Sequence, residues 1–451
     1  MISENTHLVG KKKACRLAKK CQKKCLAYKK FLLQKNVKKN TPFDKLPIID
    51  KNNYIRKFPL EERLYIGKKI SDFYMICTST GSTGEPTIWP RDFLYDTTLI
   101  KPHSQFLENH FEISKKRSLI LVSLGLGTSQ AGTMHLKASW GACKDAKISV
   151  ISPNGDPEMT LFLLKKLHSD YDQIICLGYP PLITDFIELA IKKHLPIWKW
   201  SLKIGITSEN VSPLWRQEIL KKIKGKGKDI VAWYGSTETG MIGFETPELN
   251  KIIQLTLDNN KLRQALFGTL NLPTFISVDF TKNFIEIVDK KIVITVDQVV
   301  PFVRYNLHDK GKLISGEEIN NIIRNHKLKT HYLINKNSLY LAVYGRNLVE
   351  KVFSIEDIQY ILDKLHLIKM FCNEFQFDEK KKKNSLLITL ILYKRSHFAS
   401  IKIKNKIKGK IMEELQKVTG INTQIAFNLV IKEKKELIGY KYGKLRYLLK
   451  T

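Results

Sequence analysis

The sequence predicts an α/β protein, with a large body of stacked sheets and helices followed by a smaller α+β unit. Three observations carry this. From about residue 41 onward, short apolar runs alternate with helical segments, the pattern that puts helices on the faces of a sheet. From about 270 to 305 the chain turns strand-rich. After Gly345 a last unit begins, with helices and a strand of its own. A chain of 451 residues exceeds what one core usually serves. The expected division is a helical segment over 1–40, a body over 41–344 and a small unit over 345–451.

Residues 8–35 read as a basic amphipathic helix. Ala14, Ala18, Cys21, Cys25, Tyr28 and Leu32 recur at spacings of four and three, with lysines on the other face. The first reading is a helix docked on the body through that stripe. A membrane-surface helix is one alternative. Zinc held by Cys15, Cys21 and Cys25 is another, although C-x2-C spacing and a fourth ligand are missing. In the body, Ser118–Val122, Lys147–Ile151 and Gln173–Leu177 read as strands. Asp156–His168 and Leu182–His194 read as helices. Phe284–Val288 and Lys291–Val296 form a hairpin turned at Asp289 and Lys290. The last unit offers helices around Ile355–Leu365 and Ile401–Val418, a strand at Ser385–Leu392 and a solvated tip at Lys380–Lys383.

Lys+Arg number 76 against 43 Asp+Glu, a net charge of +33. Lys outnumbers Arg 64 to 12, whereas base edges and phosphate forks favour Arg, so no nucleic-acid partner is expected. The charge concentrates at the ends: +12 over residues 1–40, +9 over 41–344 and +12 over 345–451. Such a field draws in anionic ligands and acidic surfaces. No apolar run reaches the length of a membrane span and no apolar leader opens the chain. Weak membrane-surface association is the most that the basic helix implies. Seven cysteines without paired spacing point to a reducing cytoplasm.

Five short segments could carry chemistry. Cys77-Thr-Ser-Thr-Gly-Ser-Thr-Gly-Glu-Pro-Thr87 packs hydroxyls and two glycines after the apolar run Phe73–Ile76. Glycines let backbone N–H groups turn toward an anion, and hydroxyls add donors, which suits a triphosphate. It is not a Walker A loop, and by itself it also reads as a polar surface loop. Tyr234-Gly-Ser-Thr-Glu-Thr-Gly240 follows the apolar run Ile230–Trp233. There Glu238 could hold Mg2+ and Thr237 could donate to a phosphate, unless the segment is a plain strand-end turn. The third segment, Val300–Gly311, offers Asp309 at a strand end, where a carboxylate can accept both hydroxyls of a ribose. The fourth is Tyr344-Gly345-Arg346. The fifth is Lys441-Tyr-Gly443-Lys444.

Taken in order, these segments resemble the signatures of the adenylate-forming superfamily of acyl-CoA synthetases, and within it the phenylacetate–CoA ligase group and its capsule-cluster relatives. Residues 78–87 resemble the Ser/Thr/Gly-rich phosphate loop, Tyr234–Glu238 the Y-G-x-T-E motif and Pro301–Asp309 the P-x-I-R-Y-x-x-x-D motif. Gly345-Arg346 resembles the hinge G-R, and Gly443-Lys444 the terminal G-K. Leu124–Gly127 through Ala142 resembles the segment lining the acid pocket, and Gly178–Pro181 a family turn.

The resemblance implies an adenylation body with a small mobile C-terminal lid. It implies an enzyme that activates a carboxylic acid with ATP as an acyl adenylate and passes the acyl group to coenzyme A. A carrier-protein or enzyme thiol is the alternative acceptor, and a non-enzymatic binding role for the basic ends is a third reading. By the same resemblance Thr78, Ser79, Thr80, Gly81, Ser82, Thr83 and Gly84 would wrap the β- and γ-phosphates. Tyr234 and Gly235 would flank the adenine, Thr237 would touch the α-phosphate and Glu238 would coordinate Mg2+. Asp309 would hold the ribose hydroxyls, with Arg346 nearby, and Lys444 would reach the carboxylate and α-phosphate. The Leu124–Trp140 segment implies an apolar pocket for an aryl or fatty acid. Departures fall at His308, where the family often has Gly, at Thr80, at Asn347–Val349 after the hinge, and in the lack of any Cys between 177 and 371.

Overall fold

Neighbouring residues of the parallel strands feed two separate layers of core. In β3 (Ser118–Ser123), Leu119 and Leu121 join Ile174 and Cys176 against one set of helices, while Ile120 and Val122 join Ile175 and Leu177 against another. The period of two, with apolar residues on both faces, is what a strand buried on both sides requires. In this computed structural model the described residues are 4–79, 86–127, 130–143, 147–207, 211, 213–270, 272–329 and 332–345. Beyond these they are the short stretches 347–349, 353–354, 371–380, 385–392, 405–407, 409–414, 426–433 and 448–450, with positions 361 and 365.

The chain opens with α1 (Glu4–Lys24) and α2 (Leu26–Gln34), joined at Cys25, then the short α3 (Leu60–Arg63). The expected apolar stripe lies on the buried face. Ala14, Ala18, Cys21, Cys25, Tyr28 and Phe31 pack into one core with Phe280, Phe284, Ile285 and Phe302. Burial raises the thiol pKa of both Cys21 and Cys25, so they pack as neutral, small apolar side chains; among the described residues no three His, Cys, Asp or Glu are grouped around them to hold a metal.

A two-stranded hairpin follows, β1 (Met75–Thr78) and β2 (Ile88–Arg91), antiparallel with Thr78 opposite Ile88. The expected strand 73–76 thus begins and ends two residues later. Next come α4 (Phe93–Thr97) and α5 (Ile100–Phe111), β3, α6 (Gln130–Ala142), β4 (Ile148–Ile151), α7 (Pro157–Leu167) and β5 (Gln173–Gly178). After these run α8 (Pro180–Lys192), β6 (Leu202–Ile206), α9 (Pro213–Ile223), β7 (Ile230–Ser236) and β8 (Gly240–Phe244). Then follow α10 (Pro247–Leu257), α11 (Asn260–Phe267), β9 (Thr274–Val278), β10 (Phe284–Val288), β11 (Lys291–Val296), β12 (Phe302–Ser315), α12 (Gly316–Asn325) and β13 (Leu339–Gly345). The hairpin β10–β11 has the predicted bounds, with Asp289 and Lys290 at positive φ (49° and 62°) in its turn, as a two-residue twisted turn demands.

Eleven of these strands form one continuous sheet, in the order β10-β11-β12-β13-β9-β8-β7-β6-β5-β3-β4. From β4 to β7 the ladders are parallel; from β7 to β10 they are antiparallel. The expected stacking of separate sheets is therefore met by one sheet that rolls on itself. Beyond β13, β14 (Asn347–Val349) pairs with β15 (Phe353–Ser354). A four-stranded sheet is made of β16 (Phe371–Lys380), β17 (Ser385–Leu392), β18 (Ala426–Glu433) and β19 (Leu448–Lys450). Lys380 faces Ser385 across the β16–β17 ladder, while the expected tip at 381–383 and most of the helices expected at 355–365 and 401–418 lie outside the described residues. Among the described residues no helix is long and apolar enough to cross a membrane.

Candidate nucleotide site at the rolled sheet

The second motif is a braced turn between β7 and β8. Ser236 lies opposite Gly240, and Ser236 Oγ meets Thr239 Oγ1 at 2.9 Å and accepts from Thr239 N at 3.1 Å. Gln298 donates its amide to the Thr239 carbonyl. Both glycines are required here. A Cβ on Gly235 would stand 2.5 Å from the Gly240 carbonyl oxygen, and Gly240 has φ +69°, where other residues are strained. The turn holds Thr237 and Glu238 half-buried at the end of β7, the position at which α/β sheets present ligand-binding groups.

The third motif reaches this turn from across the sheet. Tyr234 Oη donates to Asp309 Oδ2 at 2.6 Å. Tyr234 lies on β7 and Asp309 on β12, with β8, β9 and β13 between them. Four flat strand steps would separate them by about 19 Å, so the bond exists only because the antiparallel part rolls. Asp309 sits inside a 14-residue strand and not at a strand end as expected. Its position is set by a register shift at Lys310/Gly311, since such irregularities bend a strand and re-aim side chains. The residue before it, His308, has φ 65°. A glycine adopts that conformation without strain and an L-side chain does not, which gives a physical reason for the Gly of the family pattern. Lys310 lies opposite Gly345, itself at φ +75°. The third and fourth motifs are therefore ladder neighbours, while Arg346 lies outside the described residues.

The hairpin carrying the first motif is pinned at its neck. Ser79 N donates to Thr87 O at 3.0 Å, and Thr87 N donates to Ser79 Oγ at 2.9 Å. Thr78 closes β1 half-buried, and Ser79 is buried. Thr80, Gly81, Ser82, Thr83 and Gly84 lie outside the described residues, as do Gly443 and Lys444.

A set of side chains that the sequence reading did not single out ties this hairpin to the second motif. Gln130, at the start of α6, donates to the Thr237 carbonyl (2.5 Å) and accepts from Arg91 Nη1 (3.0 Å) when its amide is oriented to satisfy both. Arg91, which ends β2, pairs with Asp96 at 2.6 Å in a buried ion pair. Tyr74, just before β1, donates its hydroxyl to Asp96, and Lys137 Nζ donates to the Tyr74 hydroxyl at 2.8 Å. Gln130 and Lys137 are two turns apart on α6, so this face of the helix spans from the Thr237 turn to the hairpin. Burial and the hydrogen bond to Asp96 raise the Tyr74 pKa, so the phenol stays protonated. An arginine closing an otherwise apolar strand was the only local signal. Its acceptor Gln130 lies 39 residues away in sequence, on a different element.

Against Trp233 of β7 pack two histidines, one of them, His135, inside the 124–140 segment expected to line an apolar pocket; His103 is buried and His135 half-buried. His103 stacks on Trp233 at 5.9 Å and meets Ser139 Oγ at 3.1 Å, and His135 packs edge-on to Trp233 at 5.1 Å. Burial drives their pKa values down, to about 3 for His103 and about 4 for His135, so both are neutral near pH 7. Below β7, Arg216 Nη2 pairs with Glu245 Oε1 at 2.6 Å, both buried, and Glu245 accepts from Ala232 N at 3.0 Å. Arg304 of the third motif points away from the turn. It donates to the Asp44 and Leu46 carbonyls at 2.7 and 2.5 Å and pairs with Glu286 at 3.2 Å, clamping the N-terminal segment to β12.

No protein-family model and no curated protein matches the chain. Solved structures do match in fold. A 2-hydroxyisobutyryl-CoA ligase in the postadenylation state, in complex with an acyl-AMP, aligns with a TM-score of 0.64 at 14% identity, over 97% of this chain and 88% of that one. The same ligase in an open conformation with its acyl-AMP and CoA gives 0.55 at 14% identity, over 98% and 90%. The acyl acid amido synthetase GH3.15 gives 0.58 at 12% identity, over 91% and 83%. These likenesses show a shared mixed α/β fold.

Proposed function

We propose that this chain is an ATP-dependent acid–thiol ligase, which converts a carboxylic acid to an acyl adenylate and then to a coenzyme A thioester. The Tyr234–Asp309 bond carries the reading. It joins two motifs that are 75 residues apart in sequence, while the Gln130–Arg91 link brings the hydroxyl-rich hairpin to the same turn. The fold shared with acyl-AMP-bound ligase structures supports it.

A carboxylate is a poor electrophile, because its leaving group would be oxide. In the proposed first step a carboxylate oxygen attacks the α-phosphorus of ATP, the α–β bridging bond breaks and pyrophosphate leaves. In the second, a thiolate sulfur attacks the acyl carbon and AMP departs. The chain's task is to orient the triphosphate and to meet the charge that develops on the α-phosphate. Thr78 and Ser79, with Thr80, Gly81, Ser82, Thr83 and Gly84, would cradle the β- and γ-phosphates. Thr237 would donate to the α-phosphate, Tyr234 and Gly235 would flank the base and Asp309 would accept from the ribose. Lys444 would supply an ammonium to the developing charge, and Arg346 would act at the hinge. Losing one such donor typically costs about 10²–10³ in rate.

Among the described residues no three His, Cys, Asp or Glu side chains are grouped to hold a metal. One carboxylate, Glu238, is what the turn offers. That fits Mg2+ arriving on a triphosphate, which draws its other ligands from phosphate and water. When bound, the ion neutralises phosphate charge.

Pyrophosphate release from ATP across a panel of acids, aryl and aliphatic, tests the reading. Release that depends on one class of acid supports it. Release without acid, or no release with any acid, counts against it. Acyl transfer to a carrier protein but not to free coenzyme A would overturn the proposed acceptor alone.

A further inference from the structure

The buried stripe of α1 leaves its opposite face to solvent, and that face carries concentrated charge. Lys12, Arg16, Lys19 and Lys23 are all exposed and recur at spacings of four, three and four, so they form one row about 16 Å long. Among the described residues no carboxylate lies within ion-pair distance of these four; the pairs that α1 does make use Lys11 with Asp44 and Lys20 with Asp297. Three aliphatic side chains at and beyond the end of α1 are exposed as well. Leu26 and Leu33, two turns apart on α2, are 40% and 66% exposed, and Ile66 is 70% exposed. Ile66 N donates to the Lys24 carbonyl at 2.8 Å, which sets this side chain beside the end of α1. Aliphatic groups of this size projecting from a cationic surface gain nothing from water.

Composition discriminates among anionic partners. Protein interfaces favour aromatic residues and Arg and are poor in Lys. Nucleic-acid surfaces use Arg forks and aromatic stacking. The row has three lysines to one arginine, and neither it nor the exposed set Leu26, Leu33 and Ile66 includes an aromatic side chain. Mobile point charges combined with aliphatic anchors match a layer of anionic lipid headgroups over acyl chains. We propose that the outer face of α1, with Leu26, Leu33 and Ile66, docks the protein on membrane surfaces rich in anionic lipid. This inference is independent of the proposed catalysis.

The test is co-sedimentation of the full chain with vesicles of phosphatidylcholine alone and of phosphatidylcholine mixed with an equal part of phosphatidylserine. The wild type is expected to partition onto the mixed vesicles only, and less so as salt rises. The combined variant Lys12→Gln, Arg16→Gln, Lys19→Gln and Lys23→Gln changes exposed side chains alone, and an unchanged melting temperature would verify its fold. It is expected to lose binding by at least about a hundred-fold, from roughly five-fold per cation. Leu26→Ser with Ile66→Ser is expected to weaken binding about ten-fold without altering its salt dependence. Equal binding to both vesicles, no binding, or full retention in the four-site variant would overturn the proposal. So would tighter binding to double-stranded DNA or to an acidic helical protein, lost in the same variant.

Discussion

The parallel and antiparallel parts of the sheet share β7 and solve different problems. The parallel part is buried on both faces, its strands follow the βα alternation, and it holds the Thr237 turn fixed at a strand end. The antiparallel part accepts strain: a register shift at Lys310/Gly311 and left-handed backbone at Arg304 and His308. With that strain comes the roll that brings Asp309 to Tyr234. Rigid burial supplies one wall of the candidate site, and a tolerated irregularity supplies the other.

If that division holds, damage to the parallel part should act on the whole fold and damage to the rolled part on ligand binding. Acid gives the largest expected effect. His103 and His135 have folded-state pKa values of about 3 and about 4, below the ordinary value near 6.5. As pH falls below about 6.5, the unfolded chain takes up protons that the folded one refuses, so stability is lost down to the folded pKa of each group. Each contributes up to about 1.4 kcal/mol per pH unit. Urea unfolding between about pH 7 and pH 5 should show this slope, and His135→Gln should reduce it. Glu245→Gln comes next. It leaves the Arg216 guanidinium buried without its partner, and unfolding free energy should drop by roughly 3–5 kcal/mol, with little change in nucleotide affinity per folded molecule.

Gln130→Leu sharpens the comparison at the junction. It removes the acceptor for Arg91 and the donor to Thr237, and should cost about 1–3 kcal/mol in denaturant unfolding. The half-saturating ATP concentration in the pyrophosphate assay should rise, because the hairpin loses its tie to the turn. The smallest effect is expected at His308. Glycine there relieves left-handed strain but adds unfolded-state entropy, so His308→Gly should shift stability by under about 1 kcal/mol and leave the roll intact.

Legibility followed the same divide. The strands β3, β4 and β5 and the helices α7 and α8, to within two residues at their ends, and the β10–β11 hairpin are written in local periodicity and turn residues. The glycines at 235 and 240 stood out because their spacing is local. Asp309 was found by its motif, but its place within β12 was not, since a register shift depends on the partner strand β13. The link from Gln130 through Arg91 to Asp96 leaves no periodic trace, because its members pair across different elements. The histidines behind Trp233 were missed because a polar residue on a helix reads as surface until the packing of both helix faces is known.

Calorimetric titration of MgATP into the wild type and into Asp309→Ala bears most directly on the claim that the rolled sheet closes one nucleotide site. Saturable binding by the wild type is expected, weakened in Asp309→Ala by about ten- to a hundred-fold, as loss of a charged hydrogen-bond acceptor implies. Wild-type protein that does not bind MgATP, or Asp309→Ala protein that binds it equally well, would show that Asp309 and Tyr234 do not line a nucleotide site.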